Sequence, residues 1–155
     1  MRVLVQRVSR AEVRVDGAVV GAIGRGLLLL AGIGQEDSEA VLGPMAQKIV
    51  NMRIFAPEDP SQSHFDRSLL DVGGAVLAVS QFTLHANCRK GRRPSFSDAA
   101  APGRAEALFD GFVEALRATG VEVQTGVFGA MMEVDLVNEG PVTIWLDSRE
   151  VLPSA

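Results

Sequence analysis

Two segments of this 155-residue chain put hydrogen-bonding groups where apolar strands end. In Ser80-Gln81-Phe82-Thr83-Leu84 an apolar strand turns abruptly polar. In Asn138-Glu139-Gly140-Pro141-Val142-Thr143 a Gly-Pro pair separates two alternating stretches. Sites are often built on such strand ends and loops. Neither segment holds a His-Asp pair, a metal cluster or a phosphate loop. An enzyme built on them would draw its chemistry from backbone geometry, or from the substrate itself.

A Thr83 nucleophile needs a base within hydrogen-bond reach. His85 lies two residues on, on the same side of an extended strand, so a Thr-His pair is geometrically open. The plainer alternative makes Thr83 a β-branched strand residue, Gln81 a strand-end cap and His85 a surface or core histidine. His85 and Cys88 form half of a metal-ligand pattern without a second pair, so zinc is discounted. Four positive charges beside Cys88 favour a thiolate, but an ordinary thiol is the preferred reading. Those charges, Arg89, Lys90, Arg92 and Arg93, fall within five residues, with no acid nearer than Asp98. Alone they read as a charged surface loop. Beside Ser80–Leu84 they make a more specific arrangement, a phosphate-binding loop next to a candidate site. Gly140-Pro141 reads as a turn, since proline has no N–H for a ladder. A cis bond there would aim carbonyl oxygens out of the sheet, where they could accept from an ammonium.

The elements that must hold these residues follow from periodicity. Val3, Val5 and Arg7 share one face of a first strand, so a core-facing Val3 and Val5 carry Arg7 inward, where it needs a partner. Glu12–Val15 and Ala18–Ile23 flank Asp16-Gly17, a hairpin turn signal. Leu27–Gly32 is apolar throughout and fits a central strand. Val41, Leu42, Met45, Ala46, Ile49 and Val50 form one helical stripe, capped by Ser38 or starting later because of Gly43-Pro44. Ala56–Ser63 reads as a loop, Asp71–Gly74 as a turn and Ala75–Val79 as another strand. A second helix buries Leu108, Phe109, Phe112, Val113 and Leu116, with Pro102 in its first turn and Gly120 as its cap. Val121–Thr125 and the alternating stretches around Met132–Leu136 and Val142–Leu146 complete the strands. Residues after Asp147 read as a frayed tail. The fold class is α+β: one strand-rich, mostly antiparallel domain over residues 1–147 with two main helices, and a tail at 148–155.

The formal net charge of −4 excludes a globally basic nucleic-acid binder. No apolar run approaches the ~18 residues of a membrane helix. The single cysteine excludes an internal disulfide framework. With a strand-like rather than signal-like start, it points to a cytoplasmic protein.

Ser80-Gln81-Phe82-Thr83 resembles the Ser-Gln-x-Thr motif of the D-aminoacyl-tRNA deacylase family. Gly140-Pro141-Val142-Thr143, preceded by Asn138, resembles its Gly-cisPro motif. Val5-Gln6-Arg7-Val8, Arg53-Ile54-Phe55 and Gly91-Arg92-Arg93-Pro94-Ser95-Phe96 extend the resemblance, in order, across Met1 to Asp147. Where the family often has Lys-Met-Asn, this chain has His64-Phe65-Asp66. His85 stands where aromatic or small residues are common, and the resemblance gives it no role.

The resemblance implies a barrel-like homodimer that hydrolyses the ester between a D-amino acid, or glycine mischarged on tRNA(Ala), and the terminal ribose of tRNA. It implies no cofactor, metal or membrane. Two sites would lie at the subunit interface, each Gly-Pro loop reaching into the other subunit's pocket, with Arg7 bracing that loop. Ser80, Gln81, Phe82 and Thr83 would handle the ester, and Gly140 and Pro141 the ammonium. Arg89, Lys90, Arg92 and Arg93 would meet the tRNA. An L side chain would then strike the Gly-Pro backbone while a D side chain points to an open mouth, so rejection needs no attractive contact. Two mechanisms are open. The substrate 2′-hydroxyl activates or orients water, with Gln81 and the N–H groups of Phe82 and Thr83 holding the oxyanion. Alternatively, Thr83 forms an acyl-enzyme. The former is preferred because Thr83 lacks an evident base. A non-catalytic RNA-binding dimer is the reading from another class.

Overall fold

The computed structural model describes residues 1–59, 61 and 65–153. The loop expected over Ala56–Ser63 falls partly outside them, and His64 wholly. The sheet is organised around β1, Arg2–Val15, a single strand where the sequence suggested two. Val3 and Val5 are fully buried and carry Arg7 inward with them, as period-two spacing requires. Asp16 and Gly17 both have positive φ, the two-residue turn that matches strand twist, and they lead into β2, Ala18–Ile23.

One edge of β1 pairs antiparallel with β3 (Gly26–Gly32) through Arg2–Val8, then with β2 through Ala11–Val15. The other edge pairs antiparallel with β6, Glu133–Asp147. β4 (Ala75–Ser80) and β5 (Val123–Thr125) continue beyond β3, and both of these ladders are parallel. Parallel neighbours need a crossover. Helices α1 (Leu42–Asn51) and α2 (Leu69–Val72) lie in the first, and α3 (Pro102–Arg117) in the second. The sheet is therefore mixed, antiparallel around β1 and parallel beyond β3. A side chain on Gly21 of β2 would sit 2.5 Å from the carbonyl oxygen of Thr125 at the end of β5. That close approach curls the sheet into a nearly closed barrel.

Both faces of the sheet are buried. On one, α1 and α3 lay Met45, Ile49, Phe109 and Phe112 over Val3, Val5, Leu27, Leu29 and Val76. On the other, Val8, Val13, Leu28, Leu77 and Val79 form a second core inside the curl. Burial on both sides explains the unbroken apolar run in β3. Pro102 opens α3, and Gly120, at positive φ, closes the turn after it. No described helix is long and apolar enough to cross a membrane.

Several local readings change. A 3-10 turn at Glu39–Val41 precedes α1, so Ser38 stands before that turn rather than before the helix, and its side chain caps neither. The turn expected at Asp71–Gly74 is the end of α2, which starts where Ser68 and Asp71 cap one another's backbone. The tail is not frayed at its start. Ser148–Val151 form a helical turn, α4, and the buried Ser148 donates its N–H to the Met1 carbonyl at 2.8 Å.

Candidate active site

β4 ends at Ser80, and the Gln81 N–H still donates to Ala31 O at 2.8 Å, one step past the strand. The chain then closes a 3-10 turn, Phe82–His85, through Leu84 N–H to Gln81 O (3.3 Å) and Ala86 N–H to Thr83 O (3.0 Å). The first N–H groups of such a turn, on Phe82 and Thr83, have no acceptor within it. Gln81 Nε2 donates to Thr83 Oγ1. An amide cannot take a proton, so among the described residues Thr83 has a hydrogen-bond partner but no base. The Thr83–His85 pair does not form. His85 is 6% exposed, turned under the strand end, with Nε2 3.2 Å from Gly32 O. Burial pushes its imidazole below the usual value, partly opposed by that carbonyl.

Phe82 is 56% exposed and meets the Phe96 ring edge-on, centroids 5.0 Å apart. That contact ties the polar turn to the basic loop, whose base is held by paired Asn87 and Ser95 backbones. Arg89, Lys90, Arg92 and Arg93 are all exposed, and none makes an ion pair among the described residues. Cys88 is an exposed free thiol. Among the described residues, no group of three or more His, Cys, Asp or Glu could hold a metal.

The Gly-Pro segment does not separate two strands; it bulges from one. Gln6 pairs with Thr143 and Val8 with Asn138, so four residues of β6, Glu139–Val142, stand opposite the single Arg7. Proline, with no N–H, fits a segment extruded from a ladder. The Gly140-Pro141 bond is cis and Gly140 has φ +115°. Asn138 staples the bulge: its Nδ2 donates to Arg7 O at 3.0 Å and to Val142 O at 2.9 Å, and its Oδ1 accepts from Thr143 Oγ1.

Arg7 is 9% exposed and lies directly against the bulge. A side chain at Gly140 would come within 2.7 Å of Arg7 Nη2. Arg7 Nη1 donates to Ile54 O, and the guanidinium sits 6.0 Å from the Phe55 ring centroid. Its Nε is buried without a hydrogen bond, 3.9 Å from Glu139 Oε2. Sequence reasoning gave Arg7 its direction but missed Ile54, Phe55, Asn138 and Glu139 as the groups around it. The inward arginine, which must find acceptors, was the available signal.

The structure brings Arg7 to Gly140 and the basic loop to Phe82, but it keeps those two groups apart. Ser80 pairs with Ala31, Ala31 with Val3 and Val3 with Leu146, whereas the bulge lies opposite Arg7. That is four residues along β1, about 13 Å, and three ladders across, about 14 Å. Measured along the sheet, the two segments of one chain stand well apart.

Comparison with known proteins places this geometry in context. A family model described as D-Tyr-tRNA(Tyr) deacylase matches residues 4–147. A Thermomicrobium roseum protein named D-aminoacyl-tRNA deacylase is 58% identical over 151 residues, 97% of this chain and 96% of its own. One from Roseiflexus sp. with the same name is 62% identical over 148 residues, covering 96% and 94%. Among solved structures, a c-Myc DNA unwinding element binding protein superposes with TM-score 0.88 at 43% identity, over 95% of this chain and 98% of that one. A probable eukaryotic D-amino acid tRNA deacylase gives TM-score 0.81 over 94% and 97%; at 21% identity it speaks for the fold alone.

Proposed function

The chain belongs to the D-aminoacyl-tRNA deacylase family, a family of hydrolases, and from that premise we propose that two copies build each of its sites between them. Membership decides for an enzyme acting on aminoacyl-tRNA and against the non-catalytic RNA binder. In the proposed site, Ser80–Thr83 of one copy receive the ester. Gly140 and Pro141 of the other hold the substrate ammonium through backbone carbonyls. The separation of the two segments within one chain supports this division. The homodimer and the cytoplasm, where aminoacyl-tRNA is used, belong to the same proposal, as do one catalytic domain over 1–147 and a C-terminal segment over 148–155.

The single observation that carries the mechanism is the Gln81–Thr83 hydrogen bond. A hydroxyl bonded to an amide is not activated as a nucleophile. In place of a protein base, the 2′-hydroxyl of the terminal adenosine activates or orients the water that attacks the carbonyl carbon; the ester bond to the ribose breaks, and the departing ribose oxygen takes up the proton that the water gives up. The N–H groups of Phe82 and Thr83, with Gln81, receive charge on the carbonyl oxygen. Arg7, fixed by Ile54 and Phe55, holds the Gly-Pro bulge so that an L side chain meets backbone. Glycine has nothing to clash, so glycyl-tRNA(Ala) is also a substrate. The exposed charges of Arg89, Lys90, Arg92 and Arg93, which make no ion pair among the described residues, sit beside the turn and take the tRNA phosphates.

Deacylation of matched D- and L-aminoacyl-tRNA, with ribose or 2′-deoxyribose at the terminal adenosine, tests this. Hydrolysis of the D-ribose substrate alone is expected. Full turnover of the deoxy substrate would refute 2′-hydroxyl assistance, and near-complete retention of activity by Thr83→Ala would exclude the acyl-enzyme.

A further inference from the structure

The 3-10 turn Phe82–His85 rests on a floor without side chains. At Gly32, the last residue of β3, an added Cβ would lie 2.7 Å from Gln81 O, 3.1 Å from His85 Cδ2 and 3.2 Å from Leu84 Cβ. At Gly34 it would lie 2.9 Å from His85 Cε1 and 3.2 Å from Asp37 Oδ2. The imidazole therefore fills a slot between two glycines, and only glycines leave room for it. Inside the slot, Gly32 O can only accept, so His85 Nε2 carries the proton and donates. The slot has its own brace: Gly34 N–H donates to Asp37 Oδ2 at 2.6 Å. From the other side, Arg2 Nη1 donates to Leu84 O at 2.9 Å. Burial keeps the ring neutral near pH 7, so it presents one donor and no charge.

We infer that His85 is a positioning residue for deacylation: docked between Gly32 and Gly34, its ring fixes the turn that aims the Phe82 and Thr83 N–H groups at the ester. It touches no substrate and acts through the backbone it ends. Sequence alone offered His85 as a base for Thr83; the fold gives it this different task. The inference rests on the proposed role of Gln81–Thr83. A misplacement of about 1 Å in an oxyanion donor is enough to cost roughly a hundredfold in rate.

The test compares wild type with His85→Ala, which removes ring and donor, and His85→Gln, whose amide keeps a donor at similar reach. Two readouts are taken: steady-state deacylation of D-aminoacyl-tRNA, and hydrogen exchange at the Leu84 and Ala86 amides, the bonds that close the turn. In His85→Ala, kcat is expected to fall about tenfold to a hundredfold with KM little changed, because the turn contributes in the transition state and not to tRNA affinity. Exchange at the two amides is expected to quicken about tenfold while amides in β3 keep their protection. His85→Gln is expected to restore most of both. Gly32→Ala, whose methyl would crowd both Gln81 O and the His85 ring, disturbs the slot from its floor and is expected to give the same kcat loss by a second route. Wild-type kcat in His85→Ala, or wild-type exchange at Leu84 and Ala86, overturns the inference. Should the unaltered protein hydrolyse no D-aminoacyl-tRNA, the proposed function fails, and the exchange comparison still decides whether His85 holds the turn.

Discussion

Gly140→Ala is the substitution whose consequence the structure fixes best. Gly140 sits at φ +115°, a conformation that costs a side-chain-bearing residue about 1–3 kcal/mol. The new methyl would stand 2.7 Å from Arg7 Nη2 and 3.1 Å from Val142 Cγ2. Ordinary contact is near 3.4 Å, so the arginine gap must open by roughly 0.7 Å. Arg7 cannot supply that movement, because Nη1 is bound to Ile54 O and the guanidinium lies over Phe55. The Gly-Pro bulge must shift instead, moving the carbonyls proposed to hold the ammonium. A displacement approaching 1 Å translates into about a tenfold to hundredfold loss in kcat/KM, or roughly 1.4–2.7 kcal/mol of transition-state stabilisation. Discrimination against L substrates should narrow along with it. The assay is deacylation of matched D- and L-aminoacyl-tRNA, with thermal unfolding as the check on folding. Backbone cost alone lowers Tm by about 2–4 °C per kcal/mol. A folded variant with wild-type rate and wild-type rejection of the L substrate would refute both the bracing by Arg7 and the role of the bulge.

Three further outcomes follow from the same structure. Mixing the impaired Gly140→Ala with an impaired Gln81 and Thr83 double variant, under conditions that exchange subunits, should raise activity to about a quarter of wild type, since half the dimers then carry one intact cross-subunit site; no rise, with exchange demonstrated by mass, would place the whole site in one chain. Charge reversal at Arg92 or Arg93 should weaken tRNA binding and flatten its dependence on salt by about one unit of log–log slope; a slope equal to wild type would return the loop to a merely charged surface. Asp147 is held well below the usual carboxylate range by hydrogen bonds from Arg149, with Arg2 adding to them, and its folded pKa thus lies below its unfolded one. Its stabilisation is full above about pH 4 and lost as pH falls below that, so Asp147→Asn should lower Tm at pH 7 and converge on wild type toward pH 2; a gap that holds constant across that range would assign the loss to packing.

Faces and turns were legible in the chain because they depend on neighbours in sequence. Period-two spacing put Val3, Val5 and Arg7 on one face, and Asp16-Gly17 announced its hairpin. Helical spacing found the buried stripes of α1 and α3, and Pro102 the start of α3. The ordered motifs pointed to the family, and the comparisons place the chain in it. What failed was long-range. The continuity of β1 and of β6 across their irregularities depends on cross-strand hydrogen bonds to residues far along the chain, and the parallel placement of β4 and β5 depends on where two crossovers land.

The sequence by itself determined which residues carry polar chemistry and which way Arg7 must point, since burying one side of a strand sets every second side chain. Only the tertiary structure decided their company. It gave Thr83 an amide for a partner and took His85 away into a slot between two glycines. It supplied Arg7 with the Ile54 carbonyl, 47 residues away, and set the Gly-Pro bulge far from Ser80–Thr83 within one chain. Local propensity cannot encode such distances. They arise when strands remote in sequence fix their register against a shared core.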